Sequence, residues 1–209
     1  NPLPDGEPVI DHISVTDFRR FLDDPAGFLL QRDQRVRARS VEILDSLNAA
    51  DFGSMIHTVL ERWGMEELDR THRSEHADQI DQSLQSILDQ YILERFGHHP
   101  SPGVRLQAAI ASHRLHAVSQ VQAVRANQGW EVDLIEKSFG RRNAPLFPDA
   151  DGLPLHGKID RVDVHPELGY QAIDYKTSSK VEPPRKTHMS GSRWKDLQLP
   201  LYWYLREED

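Results

Sequence analysis

Asp174 and Lys176 lie two residues apart in a segment, Tyr170–Lys176, whose pattern predicts a β-strand. Side chains two apart on a strand share a face, so a carboxylate and an ammonium would meet there. Asp160 lies late in a preceding strand, predicted over 155–164, and a hairpin would bring it beside Asp174. Two carboxylates and a lysine suit a hard divalent cation next to a charge-stabilising group. A surface Asp–Lys pair on an exposed sheet face is the alternative that this spacing leaves open.

His57 lies on a helix predicted over about 50–68, where a lone histidine is more often a plain surface residue. Its apolar stripe is formed by Ile56, Val59, Leu60 and Trp63. An adjoining edge carries Gly53, His57, Glu61 and Gly64, and each glycine weakens a helix by about 1 kcal/mol relative to alanine. We therefore expect this edge to approach another part of the backbone closely. Glu61, one turn after His57, could orient a ligand or bind a metal weakly, and a solvated surface position is its alternative.

The remaining pattern predicts an α/β fold with a small mixed central sheet flanked by helices. A short helix should begin at a Ser14 or Thr16 cap, and another should run from Trp194 to about residue 208. Residues 70–128 should form a helical lobe, and the sheet should come from strands at 131–136, 155–164 and 170–176. We expect one domain over residues 1–209, with its catalytic sheet core at 130–205. The helical pattern continues to Asp209, which suggests a fragment of a longer protein.

Composition excludes several classes of site. The chain of 209 residues has no cysteine, so disulfides, thiolate zinc sites and iron–sulfur clusters are excluded. No apolar run approaches the roughly 18 residues that a membrane span needs, and residues 1–6 do not resemble a signal peptide. We therefore expect a cytoplasmic protein without a membrane partner.

The charge distribution is uneven. The net charge is −8, which argues against nucleic-acid binding over the whole surface. Residues 176–195, however, contain six lysines and arginines against Glu182 alone. These are Lys176, Lys180, Arg185, Lys186, Arg193 and Lys195. Such a basic stretch is typical of a nucleic-acid contact, and a solvated basic loop is its alternative.

Several short motifs follow one another in a characteristic order. They are Ser14-Val15-Thr16-Asp17-Phe18 before Asp24-Pro25, Gly53-Ser54-Met55-Ile56-His57, Gly157-Lys158-Ile159-Asp160-Arg161-Val162-Asp163, Ile173-Asp174-Tyr175-Lys176-Thr177 and Gln198-Leu199-Pro200-Leu201-Tyr202. In this order they resemble the PD-(D/E)XK nuclease superfamily, and most closely its RecB/AddB-like branch, over residues 14–205. Asp24 stands where the iron–sulfur subgroup of that branch has a cysteine, so the resemblance is to members without the cluster.

The resemblance implies a restriction-endonuclease-like core and a role for each motif residue. His57, Asp160, Asp174 and the Tyr175 backbone carbonyl would bind Mg²⁺ or Mn²⁺. Lys176 would orient the attacking water and stabilise charge at the phosphorus. Further residues would orient the site or contact nucleic acid: Gln198, Tyr202, Arg185, Lys186, Arg193 and Lys195.

The implied function is a metal-dependent deoxyribonuclease that hydrolyses phosphodiester bonds with a metal-activated water. Exonucleolytic cutting is favoured, in the nuclease domain of a helicase–nuclease-like repair or recombination protein. Its partners would be DNA and helicase domains or subunits. One alternative is a catalytically silent DNA-binding or scaffold domain of the same fold, against which the intact His57, Asp160, Asp174 and Lys176 count. The other is a helical protein-interaction domain with an incidental sheet.

Overall fold

A computed structural model describes residues 13–25, 28, 46–139, 155–178 and 183–194. The chain divides into two compact units. One comprises residues 1–40, 138–158 and 181–209, and the other comprises residues 41–137 and 159–180. In chain order the described elements are β1 (Ile13–Ser14), α1 (Val15–Asp23), α2 (Ala49–Arg70), α3 (Ala77–Phe96), α4 (Pro102–Asn127), β2 (Glu131–Phe139), β3 (Leu155–His165), β4 (Gly169–Ile173), α5 (Pro184–His188), β5 (Met189–Ser190) and β6 (Arg193–Trp194).

The described part of the first unit includes strand β1 with helix α1, and a short hairpin of strands β5 and β6. Helix α1 begins with a capping box, in which Ser14 Oγ accepts from Asp17 N–H and Asp17 Oδ2 accepts from Ser14 N–H, both at 3.2 Å. Ser14 rather than Thr16 is therefore the cap. Strand β1 pairs in parallel with the start of β3. Strands β5 and β6 form a hairpin whose turn begins at Gly191, with φ of 62°.

The hairpin corrects one prediction. The helix expected from Trp194 does not begin there, because Trp194 pairs with Met189 as a strand residue. Local apolar spacing could not reveal this, since a two-residue strand leaves no periodic signal. The rest of that predicted helix lies outside the described residues.

Helices α2, α3 and α4 of the second unit pack around one apolar core. The core includes Met55, Val59, Leu60, Trp63, Ile80, Leu84, Leu88 and Leu115. Each helix begins or ends at a recognisable signal: Asn48 caps α2, Gly97 follows α3 at φ of 70°, and Ser101 caps α4 with Pro102 in its first turn. The helices predicted over 50–68 and 70–128 are thus present. None of the helices in the described ranges is long and apolar enough to cross a membrane.

The sheet is mixed, as the sequence predicted. Beyond its parallel pair with β1, strand β3 pairs antiparallel with β4, in a register that runs from Arg161 opposite Ile173 to His165 opposite Gly169. Strand β2 is hydrogen-bonded to β3. The turn after α2 fixes the start of β2, because Val132 N–H donates to His72 O at 2.8 Å and His72 Nδ1 donates to Val132 O at 3.0 Å.

Candidate metal and active site

Three potential metal ligands from three elements converge in the second unit. They are His57 of α2, Glu136 of β2 and Asp160 of β3, and one ligand atom of each lies within 4.8 Å of the other two. All three side chains are half-buried. An imidazole and two carboxylates are a suitable donor set for a divalent cation such as Mn²⁺ or Mg²⁺.

The backbone of Tyr175 is tied to two of these side chains. Tyr175 N–H donates to Asp160 Oδ2 at 2.8 Å, and His57 Nε2 lies 3.0 Å from Tyr175 O. Strand β4 was predicted to continue to Lys176, but it ends at Ile173. The two hydrogen bonds of the Tyr175 backbone explain this earlier end. The N–H and C=O of Tyr175 are bonded to side chains of the site instead of a neighbouring strand.

The hydrogen bond between His57 and the Tyr175 carbonyl fixes which ring nitrogen of His57 carries the proton. A carbonyl oxygen can only accept, so His57 Nε2 carries the proton in that hydrogen bond. In the neutral ring the lone pair is then on Nδ1, which faces Asp160 Oδ2 at 3.6 Å. A lone pair facing a carboxylate is unfavourable, and a metal ion bound between the two groups would relieve the repulsion. The donor geometry therefore fits a divalent cation.

Asp174 and Lys176 lie beside this group but pair with each other. Lys176 Nζ is 2.5 Å from Asp174 Oδ2, and the Asp174 side chain is 13% exposed whereas that of Lys176 is 54% exposed. The register of β3 and β4 makes Asp160 and Asp174 the next opposed residues after Arg161 and Ile173. Asp174 was predicted as a metal ligand, and the structure places it next to the three converging donors rather than among them.

Glu136 is a site residue that the sequence reasoning missed. It lies in a strand that was predicted, but strict alternation puts it on the same face as the buried Val132. The structure breaks the alternation, since Val132 and Ile135, three apart, are both buried and Glu136 has φ of +50°. A left-handed non-glycine residue inside a strand is uncommon and is frequently associated with functional sites. Pattern alone could not have located this irregularity.

Burial and like charges raise the pKa of Asp160. Desolvation is the largest cause, and the nearby carboxylates of Asp174 and Glu136 add to it. The hydrogen bond from Tyr175 N–H and the electrostatic interaction with His57 act in the opposite direction. A divalent cation would favour the ionised carboxylate and reverse this shift.

Comparison with known proteins identifies the family. The family model of the PD-(D/E)XK nuclease superfamily matches residues 12–209. This chain belongs to the PD-(D/E)XK nuclease superfamily. Its α/β architecture is the restriction-endonuclease-like fold that the sequence predicted. Neither a curated protein nor a solved structure matches the chain.

A buried ionic cluster lies next to the Tyr175 side chain, beside the PD-(D/E)XK site. Arg161 and Asp163, on β3, are almost fully buried, and Arg161 Nε and Nη2 donate to Asp163 at 2.5 and 2.9 Å. Arg125 of α4 donates to Asp163 Oδ2 at 2.7 Å, and Gln122 accepts from Arg161 at 2.7 Å. Arg161 Nη1 also lies 3.5 Å from the Tyr175 hydroxyl. The cluster thus contacts the side chain of the residue whose backbone orients His57 and Asp160.

Glu61 is not one of the three converging ligands. It lines a cleft of about 510 Å³ together with Arg62 of the same helix and Glu94 of α3. Arg62 and Glu94 form an ion pair at 2.8 Å across that cleft. The suggested supporting role of Glu61 at the metal stays a prediction.

The other predicted residues of this PD-(D/E)XK chain lie in the first unit or outside the described residues. Arg185 and Lys186 are exposed on the one-turn helix α5, and Arg193 is exposed on β6. Lys195, Gln198 and Tyr202 lie outside the described residues. Their roles in DNA contact or site orientation stay predictions.

Proposed function

We propose that this chain hydrolyses DNA phosphodiester bonds, using a divalent cation held by His57, Glu136 and Asp160. The convergence of these three donors beside the Asp174–Lys176 pair is the observation that carries the proposal. The membership of the chain in the PD-(D/E)XK nuclease superfamily supports it independently.

The residues divide the chemistry between them. The cation would lower the pKa of a water and neutralise charge on the phosphate. The Tyr175 carbonyl orients His57, and the Tyr175 N–H orients Asp160. The backbone of this one residue therefore orients two of the three ligands. Lys176 presents an exposed ammonium that can stabilise negative charge on the phosphoryl oxygens, and Asp174 holds that ammonium in place.

The finer assignment rests on the order of the sequence motifs. We place the chain in the RecB/AddB-like branch without an iron–sulfur cluster, with exonucleolytic cutting in DNA repair or recombination. It would act in the cytoplasm with helicase domains or subunits. The cation is Mg²⁺ or Mn²⁺, and DNA would be held by Arg185, Lys186, Arg193 and Lys195.

A nuclease assay on single- and double-stranded DNA with Mg²⁺ or Mn²⁺ tests the proposal. Lys176→Ala should lower the cleavage rate about 100- to 1,000-fold, because it removes a charge-stabilising group. Calorimetric Mn²⁺ binding should survive, because Lys176 is not a ligand. Lys137→Ala removes an exposed lysine of β2 and should keep activity within about threefold of wild type.

Two outcomes would contradict the proposal. Wild-type activity in Lys176→Ala would move the chemistry to other residues. A wild-type protein that binds DNA with Ca²⁺ but cleaves it with none of these metals would instead favour the silent DNA-binding domain.

A further inference from the structure

A second cleft lies beside the segment that follows Lys176. Its volume is about 630 Å³, and all of its lining residues belong to the second unit. The lining consists of Ala49, Phe52, Gln107, Ile110, Arg114, Thr177 and Ser178. None of these residues takes part in the proposed metal binding.

Helix α2 and the extended segment after β4 run side by side and connect the metal site with this cleft. His57 contacts the Tyr175 carbonyl, and a Cβ built on Gly53 would lie 3.1 Å from Thr177 Oγ1. Four helical residues advance about 6 Å and two extended residues advance about 6.6 Å, so the two segments stay in step. Ala49, four residues before Gly53 on α2, lies about 12 Å from His57 along the helix axis. That span corresponds to a few nucleotides of one strand.

The lining combines planar, apolar and polar groups in fixed positions. The Arg114 guanidinium lies 5.1 Å from the centre of the Phe52 ring, and its Nη1 donates to Thr177 O at 2.7 Å. Gln107 exchanges two hydrogen bonds with the Leu47 backbone, at 2.5 and 2.6 Å, so its amide is also held in place. Ile110 is 42% exposed and presents an apolar surface at the rim.

We propose that this cleft binds one unpaired nucleobase that flanks the scissile phosphate. Aromatic rings and guanidinium planes stack on bases without regard to sequence, and neighbouring hydroxyls can accept or donate to base edges. A base held in a duplex is stacked and paired, so the cleft requires a single-stranded flank. The inference rests on the proposed function, because it takes the metal site as the place of cleavage.

Abasic oligonucleotides test the cleft directly. A set of single-stranded DNAs, each with one abasic position near the cleavage point, is titrated with Ca²⁺ present. Wild type should lose affinity about 5- to 150-fold at one flanking position, the loss expected for one stacked base. Ile110→Glu, which puts a carboxylate at the rim, should bind the intact strand more weakly and show no further loss with the abasic strand. Val121→Glu, at a 61% exposed position of the same helix outside the cleft, is the matched control and should behave as wild type.

Ala49→Trp provides a second variant, since it fills the cleft from the exposed start of α2. It should also abolish the abasic effect. An equal abasic effect in wild type and both cleft variants, or no effect at any position in wild type, would overturn the inference. Cleavage of the intact strand with Mn²⁺ reports the proposed function separately. Its absence would refute that function and leave the Ca²⁺ titration to decide the cleft, and a wild type that binds no DNA would refute both.

Discussion

The surroundings of Asp160 disfavour its ionised form. Its pKa is raised by burial and by the carboxylates of Asp174 and Glu136. When the pKa of a carboxyl group is higher in the folded than in the unfolded state, stability is lost as the pH rises through the range between the two pKa values. The loss persists at every pH above that range. The metal-free protein therefore has this penalty at pH 7, and a bound cation removes it.

Asp160→Asn should separate stability from metal binding. The carboxamide oxygen can still accept from Tyr175 N–H, while the unfavourable charge is gone. At pH 7 with chelator, the melting temperature should rise, because the disfavoured charge is gone, and each 1 kcal/mol gained would appear as roughly 2–4 °C in a chain of this size. Mn²⁺ should raise the melting temperature of wild type only. Thermal unfolding with and without metal measures both effects, and equal stabilisation of the variant by Mn²⁺ would contradict the assignment of Asp160.

Glu136→Gln tests the ligand that the sequence did not reveal. Loss of one carboxylate from the donor set should weaken Mn²⁺ binding at least about 10-fold by calorimetry. Glu61→Gln, in the cleft that also contains Arg62 and Glu94, is the comparison variant, and we expect it to leave the affinity near that of wild type. Because imidazole is a better ligand for Mn²⁺ than for Mg²⁺, Mn²⁺ should bind wild type more tightly. A larger loss of Mn²⁺ affinity in Glu61→Gln than in Glu136→Gln would place the metal ligand on the edge of helix α2 that carries Glu61.

Strand β2 is positioned by helix α2 at two points. The turn after α2 pairs with Val132, and Gly64 lies directly against Ile135, the residue before Glu136. A Cβ at Gly64 would lie 2.5 Å from Ile135 Cδ1 and 2.8 Å from Cγ1. The helix edge was expected to approach backbone. At the two glycines it approaches side chains, Ile135 at Gly64 and Thr177 at Gly53, whereas His57 between them contacts the Tyr175 backbone carbonyl.

Gly64→Ala should therefore destabilise the fold despite a better helix propensity. Alanine gains about 0.5–1 kcal/mol in a helix, whereas overpacking a core costs about 1–3 kcal/mol. Denaturant unfolding should show a net loss, and Mn²⁺ affinity should fall as Glu136 is displaced. Ile135→Val removes Cδ1 and should rescue the double variant by at least about 0.5 kcal/mol relative to the sum of the single effects. Strict additivity would mean that the two residues do not clash.

The elements with a regular period were predictable, and the irregular ones were not. The stripe of α2 and the long helices α3 and α4 follow from apolar spacing, and the order of strands follows from alternation. Three features depend on tertiary contacts that no local pattern encodes. These are the left-handed Glu136, the end of β4 at the tethered Tyr175, and the buried Arg161–Asp163 cluster. The motif residues His57, Asp160, Asp174 and Lys176 were singled out because their order in the chain, rather than their spacing alone, is informative.

The basic stretch predicted from residues 176–195 is divided between the two units. Lys176 belongs to the second unit and is paired with Asp174, whereas Arg185, Lys186 and Arg193 belong to the first unit and are exposed. Several arginines on helices α2 and α3 and in the turn between them are also at least partly exposed, but they lie next to carboxylates. Arg62 pairs with Glu94, Arg70 with Glu66, Arg73 with Glu75 and Arg95 with Asp51. A cation with an adjacent carboxylate adds little positive potential for a phosphate.

Two quadruple variants with the same change in net charge distinguish local contact from overall charge. Arg185, Lys186, Arg193 and Lys195 changed together to glutamine should weaken binding of single-stranded DNA with Ca²⁺ present, and make it less salt-dependent. Each lost phosphate contact removes a slope of about 0.7 in log affinity against log salt, so four contacts remove roughly 3. The control changes Arg62, Arg70, Arg73 and Arg95 to glutamine.

The control should change affinity modestly and leave the salt slope near that of wild type. Those four arginines already have carboxylate neighbours, so they release few counterions from DNA, although their loss lowers the net charge equally. Equal effects in both variants would mean that only net charge matters. An unchanged slope in the first variant would place the DNA path elsewhere, and Arg32, Arg35, Arg37 and Arg39 would be the next residues to neutralise.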